Sequence, residues 1–96
     1  MPKCVTGKVA EIGPNGSLIT CIQQTQVADA PRDERISIAF GGHQTVGLFD
    51  DPHEQPESTM VAKLNSEGFV EIEIVGLSLS EMLGIQVDEK VTISWP

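Results

Sequence analysis

The stretch Leu64 to Gly84, LNSEGFVEIEIVGLSLSEMLG, reads as the end of one strand, a turn, a second strand and a capped helical turn. Asn65-Ser66-Glu67-Gly68 is turn chemistry, because Asn and Gly tolerate positive φ and Ser can bond its own backbone locally. Before it Met60, Ala62 and Leu64 restart an alternating pattern. After it Val70, Ile72 and Ile74 oppose Phe69, Glu71, Glu73 and Val75. These two strands form the clearest hairpin in the chain. Ser78 then stands as an N-cap with Glu81 three residues on, a capping-box spacing, ahead of Met82, Leu83 and a stop at Gly84.

The same reading extends outward. Val5, Gly7 and Val9 alternate with Thr6, Lys8 and Ala10, and a turn around Gly13-Pro14-Asn15-Gly16 leads to Leu18, Thr20 and Ile22 alternating with Ile19 and Cys21. Gln23 to Asp33 has no apolar period and reads as an exposed connection. Ile36, Ile38 and Phe40 share a face, Gly41-Gly42 turns, and Val46 with Leu48 is expected on one face of the next strand, opposite Thr45, Gly47 and Phe49. Asp50 to Glu57 breaks the pattern with two prolines and four acids, and Lys90 to Trp95 closes the chain with Val91, Ile93 and Trp95 on one face. About seven short strands and one short helix predict an all-β fold, a small antiparallel, partly open Greek-key-like barrel occupying residues 1–96 as a single domain.

Composition narrows the function. Fourteen acids against six bases give a formal charge of -8, which repels phosphate backbones and anionic lipid, so neither nucleic acid nor a membrane surface is an expected partner. No apolar run approaches a membrane span and Met1-Pro2-Lys3-Cys4 lacks the apolar core of a secretory signal, so a soluble, cytoplasmic chain is expected. If the first turn sets a register in which opposed residues sum to about 29, Cys21 faces Lys8 and Cys4 lies about 13 Å further along, beyond the roughly 7 Å reach of a disulfide. Two free thiols are expected.

The constellations that could carry chemistry read first as structure. His43, His53, Asp50, Asp51 and Glu54 offer imidazole and carboxylate, but without a spacing that holds a metal geometry they read as a solvated acidic loop, and no metal site is expected. Glu71 and Glu73 could suit acid-base work, yet alternating Glu on an outward strand face is ordinary solvation. No catalytic residue is assigned. A self-associating apolar face could include Val5, Val9, Ile36 or Val46.

One resemblance adds to this. The order of GKVAEIGPNGSLITCI, the Phe49-to-Pro56 loop, LNSEGFVEIEI and the closing Leu83-Gly84 resembles the C-terminal domain of the SAM hydroxide adenosyltransferases, the family that includes SAM-dependent chlorinating and fluorinating enzymes, from about Gly7 to Ile93. The resemblance implies a small Greek-key-like barrel that holds the adenine of S-adenosyl-L-methionine against the α/β domain of a neighbouring subunit in a trimer. By resemblance the adenine side would comprise Asn65 and Ser66, Phe49 near a stacking aromatic, the backbone of Val75 and Gly76, and Ser17 in the first turn.

The chain also departs from that pattern. Asn15-Gly16-Ser17 stands where the family has Phe-Gly-Asn, which removes an aromatic wall and shortens an amide to a hydroxyl. Cys21 replaces an Asn, Glu67 replaces the Arg of the fluorinating branch, and Asp88-Glu89 replaces a Gly-Asp pair. The expectation is a stand-alone, non-catalytic barrel that binds S-adenosyl-L-methionine or adenosine weakly if at all. The alternatives are a subunit of a split enzyme completed by a separate α/β protein, or a structural self-association domain.

Overall fold

The computed structural model describes residues 3–50 and 55–96. Eight strands follow in order, β1 (Lys3–Ile12), β2 (Leu18–Gln23), β3 (Ser37–Phe40), β4 (His43–Val46), β5 (Phe49–Asp50), β6 (Met60–Leu64), β7 (Phe69–Ile74) and β8 (Lys90–Trp95), with one helix, α1 (Leu79–Leu83), and a 3-10 turn at Gln24–Val27. The strands form one sheet in the order β4-β3-β8-β1-β2-β7-β6-β5, antiparallel throughout except for the two-residue pairing of β5 with β6. The last strand thus lies between β1 and β3, as a Greek-key path requires.

The sheet curls until β4 and β5 both run beside β6. Thr45 Oγ1 donates to the Met60 carbonyl at 3.2 Å, and Phe49 pairs with Lys63 in parallel register. Between these two points the closure is thin, so the barrel is partly open, as the strand pattern predicts. The interior is aliphatic: Val9, Leu18, Ile22, Ile36, Ile38, Val70, Ile72, Val91 and Ile93 are each at most 1% exposed. At Gly7 a Cβ would come within 2.6 Å of the Ile22 side chain, so β1 and β2 approach there only because the residue is glycine.

Four expectations need correction. The connection after β2 is not wholly exposed, because its 3-10 turn drives Val27 into the core and Ala30 follows. Val46 and Leu48 do not share a face: Gly47, at φ +87°, breaks the alternation, leaving Val46 47% exposed and Leu48 buried. Val9 and Ile36 lie in the core and cannot belong to an association face. Glu71 and Glu73 are not solvated, for their side chains are 14% and 19% exposed and flank the equally buried Lys63.

Elsewhere the local readings hold. Val9 opposes Thr20, which is the predicted register, before a bulge shifts the pairing by one residue toward the turn. Cys4 and Cys21 are free and exposed. Ser78 accepts the Glu81 N–H at 3.3 Å, and Gly84 closes α1 in the left-handed conformation. Among the described residues no helix is long and apolar enough to cross a membrane.

Candidate functional site

Asn65 organises one end of the β6–β7 hairpin. Its Oδ1 accepts the N–H groups of Glu67 and Phe69 at 3.0 Å each, and its Nδ2 donates to Glu71 Oε1 at 3.1 Å. The side chain of the matched asparagine is therefore committed to its own turn, while Ser66 beside it is exposed. Phe49 lies toward this end, half-buried, with its ring 3.6 Å from where a Cβ on Gly47 would stand.

The other matched positions gather at the opposite end of the hairpin. From Phe69 to Val75 is six residues, roughly 20 Å of strand, so Phe49, Asn65 and Ser66 form one group and Ser17, Val75 and Gly76 another. The second group arises because the first turn of the chain is fastened to the segment that follows β7. Gly16 packs so closely on Ser78 that a Cβ there would fall 2.8 Å from the Ser78 Cα. The Ser80 N–H donates to the Gly16 carbonyl at 3.0 Å. Ser17 is buried below this junction.

Between the two turns lies a cleft of about 460 Å³, with Asn15 on one side and the run Glu73 to Ser78 on the other. Its size falls within the range of small-molecule sites. The Val75 backbone is already used, its N–H by the Thr59 carbonyl at 3.0 Å and its C=O by the Ser58 N–H at 2.8 Å. Gly76, exposed and at φ +79°, enters no backbone pairing among the described residues. Its N–H and C=O, on a residue of the cleft wall, are therefore not taken by the described backbone.

A chain of polar contacts crosses the outer face of the hairpin and joins its two ends. Asn65 binds Glu71, Lys63 Nζ lies 4.0 Å from Glu71 and 3.1 Å from Glu73, and Glu73 reaches the cleft wall. The sequence held a signal for this, since the register of the hairpin sets Lys63 directly across from Glu71. A smaller hollow of about 340 Å³ beside Trp95 is flanked by Lys3 and Arg35. Those cations already face Asp29 at 3.6 Å and Asp33 at 3.0 Å.

Among the described residues no three His, Cys, Asp or Glu side chains converge as metal ligands. Asp51, His53 and Glu54 of the acidic loop lie outside the described residues. The Arg35 side chain, hydrogen-bonded to the exposed Asp33, holds that carboxyl below its ordinary range.

The family model described as the SAM hydroxide adenosyltransferase C-terminal domain matches residues 7–92. No curated protein matches the chain. Among solved structures, an uncharacterized conserved protein from Thermotoga maritima superposes with a TM-score of 0.76 at 18% identity, over 94% of this chain and 35% of that one. A conserved hypothetical protein from Thermus thermophilus gives 0.67 at 22% identity, over 92% and 34%. This chain spans about a third of the length of those two, and at such identities the superpositions speak for the fold.

Proposed function

The chain belongs to the SAM hydroxide adenosyltransferase C-terminal domain family, and from that premise we propose that it is the non-catalytic, purine-holding part of a nucleoside site, with adenosine or S-adenosyl-L-methionine as ligand. One observation carries the reading. Two turns about sixty residues apart in sequence, at Asn15 and Gly76, are fastened side by side and enclose the cleft of about 460 Å³. The N–H and C=O of Gly76, outside any backbone pairing among the described residues, suit the edge of a purine, which presents both donors and acceptors. Asn15 and Ser78 add short polar side chains opposite and beside it.

Titration calorimetry with S-adenosyl-L-methionine, adenosine and methionine tests this. Adenosine and S-adenosyl-L-methionine should bind tighter than about millimolar, with methionine alone giving little heat. The absence of heat with all three would remove the nucleoside reading. A cytoplasmic setting goes with it, because the exposed Cys4 and Cys21 stay reduced there.

The length comparison favours a second layer to the same reading. Since the chain spans about a third of the two solved chains, we propose that the chemistry is supplied by an α/β domain that meets the cleft, on this polypeptide or a separate one. Native-host co-purification should recover such a partner through a sizeable interface. Light scattering should show an oligomer, a trimer by family resemblance, and a strict monomer alone and with its co-purified proteins would count against this layer.

A further inference from the structure

The resemblance offers Phe49 as the apolar surface for a base, but Phe49 pairs with Lys63, across from Glu71, and from Glu71 to Gly76 is five residues, roughly 17 Å of strand. We propose that Leu77 replaces it as the wall against which the ligand's flat, uncharged heterocycle packs. This rests on the nucleoside reading above and names the residue that carries its affinity.

Leu77 and Leu79 show how specific the placement is. They are the same residue type two positions apart, yet Leu79 is fully buried and Leu77 is 42% exposed. The difference comes from the turn at Gly76, whose positive φ reverses the chain, and from the Leu77 N–H, which donates to the Ile74 carbonyl at 3.0 Å. Immediately afterwards Ser78 caps α1 and packs on Gly16. Leu77 is therefore held on both sides by bonded backbone, with its side chain on the cleft wall rather than in the core.

Exposing a large aliphatic side chain on a fixed turn gains nothing for folding. It gains affinity when a flat apolar surface covers it, because burial of the remaining area then accompanies binding rather than folding. The neighbouring Gly76 edge supplies hydrogen bonds in the plane of a heterocycle, and Leu77 supplies contact to its face. That pairing of an edge reader with an apolar platform suits a purine base and does not suit a free amino acid or a phosphate.

Calorimetry with adenosine on the wild-type chain, Leu77→Ser and Phe49→Leu distinguishes the two candidates. Leu77→Ser should weaken adenosine about fivefold to tenfold, with an unchanged thermal midpoint because the site is exposed, whereas Phe49→Leu should leave affinity within about twofold. A loss at Leu77→Ser larger than that at Phe49→Leu supports the assignment. Equal losses, or the reverse order, overturn it while leaving the nucleoside reading intact. A wild-type chain that binds no adenosine overturns both.

Discussion

At the Asn65 end of the β6–β7 hairpin both polar atoms of the matched side chain are bound within the hairpin, whereas at the Gly76 end a glycine backbone unpaired among the described residues and the exposed Leu77 line a cleft. Both ends match the same family, but the match has a different physical content at each. An asparagine that satisfies three hydrogen bonds in a turn is required by the turn, whatever the protein binds. A position reveals a ligand when the fold leaves groups over that it does not use itself.

Substitutions at the two ends should separate stability from binding. Gly16→Ala is expected to have the largest effect, because it combines a left-handed backbone with a Cβ pressed onto Ser78. Strain and overpacking together cost about 3 kcal/mol, and the thermal midpoint should fall by roughly 10 to 20 °C. Adenosine affinity should fall with it, since the cleft is built on that junction. Lys63→Met leaves Glu71 and Glu73 facing each other on a nearly closed face and should cost about 2 kcal/mol by urea unfolding, with most of it recovered when both acids are also made apolar. No recovery would mean that the charges were not the cause.

Asn65→Ala should cost about 1 to 2 kcal/mol, the order expected for losing hydrogen bonds in a half-buried turn, with adenosine binding unchanged. A variant of normal stability that no longer binds would reverse the contrast drawn between the two ends. Asp33→Asn, remote from both, should be the mildest. The Arg35 hydrogen bond lowers the Asp33 pKa in the folded state, so its contribution is present above the ordinary carboxylate range and fades as the pH falls through the lowered value. The variant should therefore show a slightly shallower loss of stability on acidification than the wild type.

Sequence alone revealed those elements whose local chemistry and global placement agree. The β6–β7 hairpin, its Asn65 turn, the Ser78 cap and the Gly84 stop are all set by near neighbours, and Val70, Ile72 and Ile74 point inward as their period requires. Val27 and Ala30 were illegible because a single 3-10 turn buries the first and the bend after it, where the Ala30 N–H donates to the Val27 carbonyl, buries the second, with no repeat. Gly47 hid the opposite error, since one residue of positive φ undoes an alternation that looks continuous from Thr45 to Phe49. The positions named by the resemblance fall into two groups, Ser17, Val75 and Gly76 toward the cleft and Phe49, Asn65 and Ser66 toward the other end of the hairpin, because residues adjacent in order need not converge in space. Leu77, exposed on the cleft wall, was not singled out although its pattern was visible: a large aliphatic residue lodged between a turn glycine and a helix cap, in phase with neither strand nor helix.

The central place of β8 in the sheet bears on the order in which the molecule can be made. Synthesis delivers residues at about 5 to 20 per second, and the segments that build and fasten the cleft, Asn15 to Ser80, all precede β8. The β3–β4 hairpin must wait for Lys90 to Trp95, because Ile38 and Phe40 find their cross-strand partners in Ile93 and Val91. A nascent chain is thus expected to possess its cleft before its barrel can close. Protease challenge of ribosome-bound chains ending before Lys90 or after Trp95, each extended by a C-terminal linker long enough to clear the exit tunnel, would read this directly, with protection of the β1–β2 and β6–β7 hairpins in the shorter chain and of Ile38 and Phe40 only in the longer.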